Sequence, residues 1–305
     1  MEIYLIGLAV ALVGGLLMSR LTRLLHLPAV TAYLVAGLLL GPFFLGRLNV
    51  PGLGFNTLEE VNVLSIVSQT ALGFIAFAMG NEFRLSQLRT IGSRAIIIGI
   101  LQAVITTIVV DVILLLLHLF FPHIISVPCA ITLGAIAAAT APAATLMVVR
   151  QYKADGPMTR LLMLVVALDD AVGLLLFSVS FGIATALSNG QVSVLAVVVE
   201  PIVEILLSVG LGGFMGLLLH WVERFFHSRS KRMSLSVAFV MLTVGLSMLE
   251  FQIGPVHCGF SLLLVCMMTG TIFCNVCPTS EELMERVDGW TMPLNILFFV
   301  ISGAE

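Results

Sequence analysis

Met158–Ser180 reads MTRLLMLVVALDDAVGLLLFSVS, and two adjacent acids, Asp169 and Asp170, stand in the middle of this otherwise apolar run. About eleven residues separate the pair from the basic end of the run. At about 1.5 Å per helical residue that places the acids roughly 16 Å deep, near the midplane of a bilayer. Each ionised carboxylate there costs about 2.5–3.5 kcal/mol on insertion scales, and the pair roughly 5–7 kcal/mol. Water, a cation or a basic partner must offset that cost. The plainer reading is two protonated acids bonded to nearby backbone; it stands against the default that intramembrane acids are functional. Adjacent positions on a helix point about 100° apart, so only one of the two need face an ion.

The rest of the chain supports a membrane setting. The 305 residues are 59% hydrophobic and only 10% charged, with a mean hydropathy of +1.14, which leaves too few polar side chains to coat a water-soluble domain. Apolar runs of about twenty residues, the length that crosses roughly 30 Å of hydrocarbon, alternate with charged breaks. They read as ten spans near Ile3–Ser19, Ala29–Gly46, Val61–Gly80, Ala95–Phe120, Val127–Val149, Leu161–Leu187, Ser193–Trp221, Met233–Leu249, Val256–Asn275 and Trp290–Glu305. The first lacks a basic leader and a cleavage site, so it reads as a retained helix. The net charge of −3 offers nucleic acid no footprint. The five cysteines, Cys129, Cys258, Cys266, Cys274 and Cys277, lie in or beside apolar runs and suggest no disulfide framework.

With the N-terminus outside, alternation puts Arg20, Arg23, Arg84, Arg89, Arg94, Arg150, Lys153, Arg160, Arg224, Arg229, Lys231, Arg232 and Arg286 in cytoplasmic loops. Of the fourteen Lys and Arg, that leaves Arg47 alone outside. Short loops this biased fix an orientation, and a miscounted span would scramble the bias. The expected place is the inner (plasma) membrane. Glu281, Glu282 and Asp288 read as a cytoplasmic loop.

The fifth span, VPCAITLGAIAAATAPAATLMVV, is the second anomaly. Pro142 has no N–H, and its ring clashes with the carbonyl one turn back, around Ala138. The small residues of this segment, Gly134 among them, let another helix cross closely. Alone this is an ordinary proline kink. Beside carboxylates at equal depth it reads as an opened helix exposing backbone to a cation. Asp111 reads equally as the lining of a watery funnel or as a snorkelled or protein-paired acid. Glu200 and Glu204 read as interfacial, and Cys274-x-x-Cys277 is a weak metal or redox signal without a second pair.

Span three ends FIAFAMGNEF and span ten LFFVISGAE, so aligning Gly80 with Gly303 also aligns Glu82 with Glu305. The two spans run in opposite directions, which makes an inverted repeat of the kind that builds secondary transporters. That offset predicts roughly three further spans, about 80–100 residues, after Glu305.

In order, LPAVTAYLVAGLLLGP, ALGFIAFAMGNEF, ATAPAATLMVV, VALDDAVGL and PLNILFFVISGAE resemble the monovalent cation:proton antiporter superfamily, which includes bacterial sodium/proton antiporters and glutathione-gated potassium efflux systems. The resemblance implies an all-α membrane protein: about ten helices of a 13-span inverted-repeat fold with a discontinuous fifth helix and a truncated second repeat. It implies a single antiporter domain with scaffold spans at about 1–57 and 193–280 and core spans at about 58–187 and 289–305. It also implies a homodimer, an elevator-like movement, no cofactor, and exchange of Na⁺, Li⁺ or K⁺ for protons rather than enzymatic turnover. By position, Asp170 is the principal cation and proton ligand and Asp169 the partner of a lysine in an eleventh span. Thr140 lies at the break beside Ala141 and Pro142. Many relatives carry an acid where Ala141 stands, and the lysine span would lie beyond Glu305. Competing readings are a glutathione-gated-type potassium efflux system within transport, a non-transporting, regulatory or truncated paralogue, and, last, an intramembrane aspartyl protease. The protease would need acids on two helices, one in a GxGD motif.

Overall fold

The computed structural model describes the chain except residues 1, 25–26, 49–53, 82–83, 85–92, 141–144, 146–147, 150, 190–199, 250 and 254–255. Its helices are α1 (Glu2–Leu24), α2 (Ala29–Leu40), α3 (Leu58–Val63), α4 (Ser65–Gly80), α5 (Ser93–Phe120), α6 (Val127–Ala138), α7 (Pro157–Asn189), α8 (Glu200–Glu223), α9 (Arg229–Ser247), α10 (Leu262–Val276) and α11 (Ser280–Ala304). Each of the ten apolar runs contains described helix. Among the described residues, five helical stretches are long and apolar enough to cross a membrane: Tyr4–Thr22, Ala29–Leu48, Ala95–Phe120, Ile202–Glu223 and Ser280–Ala304.

Local chemistry sets the ends. Gly41 leaves α2 in an extended conformation (φ −70°, ψ 169°), as the residue before Pro42 must to avoid the proline ring. Thr57 caps α3 by accepting from the Glu60 amide at 3.2 Å, while Glu60 accepts from the Asn56 amide at 2.8 Å, a capping-box arrangement displaced by one residue. Ser126 caps α6 through the Cys129 amide, and Ser261 caps α10 through the Leu264 amide.

Two expected boundaries are corrected. Val256–Cys258 is not the start of a helix but a strand, β2, paired antiparallel with β1 (Phe251–Ile253). The Gly-Pro sequence between them cannot continue a helix, and α10 starts only at Leu262. Glu281–Asp288 is not a loop: α11 begins at Ser280, with Glu281 and Glu282 in its first turn, where the helix dipole favours acids. Glu281 meets Arg84 at 3.0 Å and Glu282 meets Arg229 at 3.0 Å.

Apolar packing forms two clusters. Tyr33, Leu40, Phe299, Val300 and Ile301 join α1, α2 and α11. Phe74, Phe77, Leu219, Val244, Phe273 and Val287 join α4, α8, α9, α10 and α11. Helices α5, α6 and α7 pack chiefly on one another. The packing joins α4 and α11 to α2 and α10.

Two crossings share one geometry. A Cβ on Gly80 would strike the Met267 carbonyl of α10, and one on Gly270 the Phe77 carbonyl of α4. A Cβ on Gly303 would strike the Leu34 carbonyl of α2, and one on Gly37 the Val300 carbonyl of α11. In all four cases the carbonyl lies three residues before the opposing glycine. Only a residue without a side chain lets the backbones approach this closely.

Candidate functional site

The first helix of the fifth span stops one turn before the position of Pro142 in the sequence, where a proline ring opposes a helical carbonyl. Helix α6 ends at Ala138, Ala139 is extended (φ −69°, ψ 132°), Thr140 is non-helical, and Thr145, the next described residue, is helical. A helix ending inside a bundle leaves carbonyls without intrahelical partners, and that end carries partial negative charge. Ala141 and Pro142 themselves lie outside the described residues.

Helix α7 faces this end. A Cβ added to Gly173 would lie 3.9 Å from the Cα and Cβ of Ala139, and one turn earlier Asp169 faces Thr140. Asp169 is completely buried. Gln102 of α5 donates its amide Nε2–H to Asp169 Oδ2 at 3.2 Å. Thr140 approaches the same carboxylate through its side chain and its backbone, but the geometry falls short of a hydrogen bond. Thr140 Oγ1 and Asp169 Oδ1 are both buried without a partner among the described residues. Buried polar atoms are normally satisfied, so two orphans facing each other mark a place built for something else to bind. A carboxylate oxygen, a hydroxyl and the end of a helix together can take a proton or a small hard cation, which prefers oxygen ligands.

The backbone of Asp170 continues α7, and its side chain lies outside the described residues. Asp111, read as funnel lining or as a snorkelled or protein-paired acid, is only partly buried. Its carboxylate lies against Gly134 of α6, filling the notch left by the missing side chain, and its Oδ1 is buried without a partner among the described residues. Glu204 is half-buried on α8; the side chain of Glu200 is not among those described. Sequence reasoning passed over Gln102. The signal was an isolated amide in a 28-residue apolar helix, nine residues before Asp111 on the same element.

A polytopic helical chain with a carboxylate buried beside a helix end has the makings of a membrane transporter. The comparison with known families is more specific. The model of the transmembrane sodium/hydrogen exchanger family matches residues 8–305, and the chain belongs to that family. It is 31% identical over 94 residues to K(+) efflux antiporter 5 of Arabidopsis thaliana, a match covering 31% of this chain and 14% of that protein. The chain thus matches about one seventh of that relative's length. Its fold resembles an electron-microscopy structure of the sodium proton antiporter MjNhaP1 from Methanocaldococcus jannaschii, with TM-score 0.74 and 19% identity over 97% of this chain and 68% of that one. A second structure of the same antiporter, at pH 8, gives TM-score 0.65 and 20% identity over 97% and 70%.

Proposed function

We propose that this chain carries the ion site of an inner-membrane antiporter exchanging protons for Na⁺, Li⁺ or K⁺, centred on Asp169 and Asp170. The observation that carries the proposal is the buried Asp169 carboxylate facing Thr140 at the end of α6, with an oxygen on each left unpaired. Family membership and the MjNhaP1-like fold support the same reading. The potassium in the plant relative's name puts K⁺ on the panel of ions to test.

In this mechanism the two carboxylates titrate as a coupled pair, because two charges so close in a low-dielectric site cannot both persist without a counter-charge. Protons neutralise the pair when the site opens to one side, and a cation does so when it opens to the other. Loading is one or the other, and that couples the fluxes. A pair of acids suggests unequal charge exchange, two protons per cation. Thr140 and the freed backbone beside Ala141 and Pro142 supply neutral oxygens. The two glycine crossings support an inverted repeat relating α4 to α11 and α2 to α10, within a 13-span homodimer whose N-terminus lies outside. The close mutual packing of α5, α6 and α7 supports their moving as a unit against the remaining helices.

The test is dequenching of a ΔpH-sensitive dye in everted vesicles carrying the full-length gene product, on addition of Na⁺, Li⁺ or K⁺. Exchange should vanish in Asp170→Asn, and Asp169→Asn should lose the charge imbalance or all activity. Wild-type rates in both variants would overturn the site.

A further inference from the structure

A second cluster lies outside the proposed ion site, where the end of α8 meets the turn between α10 and α11. His220 and Glu223 stand three residues apart on α8, and so on one face of it; Cys277 follows the last residue of α10. One ligating atom from each lies within 4.8 Å of the others. Glu223 and Cys277 are both buried, with 3% and 5% of their surfaces exposed. The Cys277 thiol donates to Glu223 Oε2 at 2.9 Å. The other oxygen, Oε1, accepts from the Thr279 hydroxyl at 3.1 Å and faces the Arg232 guanidinium at 3.5 Å.

We propose that His220, Glu223 and Cys277 form a binding site for a borderline divalent cation of the Zn²⁺ class. Nitrogen, oxygen and sulfur donors in a set of three are the chemistry that such ions select over Mg²⁺ or Ca²⁺. The ion replaces the Cys277 proton, which leaves to solvent, and binds the resulting thiolate, Glu223 Oε2 and one imidazole nitrogen. Bond lengths of about 2.0–2.3 Å require the His220 nitrogen to close by ~1 Å while the Cys277–Glu223 pair opens slightly. Two negative ligands then balance the ion's charge. Thr279 and Arg232 remain on Oε1, where they fix the carboxylate as outer-shell partners do in metal sites.

One further observation points to a ligand here. His220 Nδ1 is buried with no partner among the described residues. Beside Glu223 and Thr279 lies a cavity of about 20 Å³, bordered also by Arg229, Arg232, Glu282, Leu283 and Arg286 and by neither His220 nor Cys277, so it is no part of the site. The competitor is Arg224, an exposed side chain whose Nη2 lies 2.9 Å from His220 Nε2 and must swing away. This site does not depend on the antiport reading. It ties α8 to the start of α11, the helix whose far end crosses α2 at Gly303.

The experiment titrates the detergent-purified protein with Co²⁺ as the spectroscopic probe and Zn²⁺ as its competitor. One equivalent of Co²⁺ should produce a sulfur-to-cobalt charge-transfer band that Zn²⁺ removes. Cys277→Ser should abolish the band while Cys274→Ser keeps it. His220→Ala should weaken binding more than ~10-fold, and Arg224→Ala should tighten it. Folding of each variant is checked by size-exclusion elution; should Cys277→Ser misfold, the half-buried His220 provides the decisive variant. Absence of a charge-transfer band in folded wild-type protein, or binding unchanged in His220→Ala, would overturn the proposal.

Discussion

Replacing Gly270 or Gly303 by alanine tests how the helices are held together. A Cβ on Gly270 would lie 3.0 Å from the Phe77 carbonyl carbon and 3.3 Å from Gly80 Cα. One on Gly303 would lie 3.0 Å from both the carbonyl carbon and Cα of Leu34, with a carbonyl oxygen nearer still in each case. Carbon atoms rest about 3.5–4.0 Å apart, so each pair of helices must separate by roughly 0.5–1 Å. The obstacles are backbone atoms, which cannot rotate aside as a side chain can. Overpacking of this kind costs about 1–3 kcal/mol. Alanine recovers about 0.5–1 kcal/mol over glycine inside a helix. Gly213 of α8 and Gly245 of α9 are controls, since an added Cβ on either meets nothing within 4 Å. Alanine there should stabilise by that same helix term alone. The two classes should therefore differ by about 1–3 kcal/mol, read as reversible unfolding in mixed micelles at increasing SDS fraction. Gly270→Ala and Gly303→Ala should also resemble each other, because the crossings share one geometry. If either were as stable as Gly213→Ala, the backbone-contact reasoning would be wrong.

Gln102→Leu removes the amide that donates to Asp169 Oδ2. Because that amide favours the charged carboxylate, the cation concentration for half-maximal exchange should rise roughly 10-fold at fixed pH, as expected for losing a hydrogen bond of about 1.5 kcal/mol to a charged group. In Gly134→Ala, the new Cβ would fall 2.6 Å from Asp111 Cγ, so thermal unfolding in detergent should reveal a loss of about 1–3 kcal/mol, partly restored by adding Asp111→Ala. Asp155, in the turn before α7, is held below the usual carboxylate range first by the hydrogen bond from Arg160 and then by the Gly156 amide. A depressed carboxylate stabilises fully above its unfolded value, about 3.9, and loses that contribution as pH falls through its folded value. Arg160→Ala should return the Asp155 titration, followed by NMR, toward that ordinary value, and the difference from wild type should disappear in acid.

Much of the site was legible because its residues violate the rule of the surrounding sequence. Asp169 and Asp170 are conspicuous in an apolar run, and Pro142 announces a helix end one turn upstream, which is where α6 stops. Gln102 escaped notice because a neutral amide costs far less in a membrane than a carboxylate does. The His220–Glu223–Cys277 cluster was invisible for another reason. Its members are 54 residues apart between Glu223 and Cys277, and the CxxC spacing drew attention to Cys274, which is not part of it.

The sequence by itself determined which segments are apolar enough to enter a bilayer, though not all of their ends. That is a property of each segment against water and hydrocarbon, and hydropathy, proline and charge express it locally. Only the tertiary structure decided which helices touch. The pairing of Gly80 with Gly270 and of Gly37 with Gly303, the seating of Asp111 against Gly134, and the grouping of α5 with α6 and α7 all depend on fit. Between helices that are equally apolar, burial does not discriminate, and association is settled by which backbones can approach. That depends on where small residues from distant parts of the chain come to face one another, which no single segment encodes.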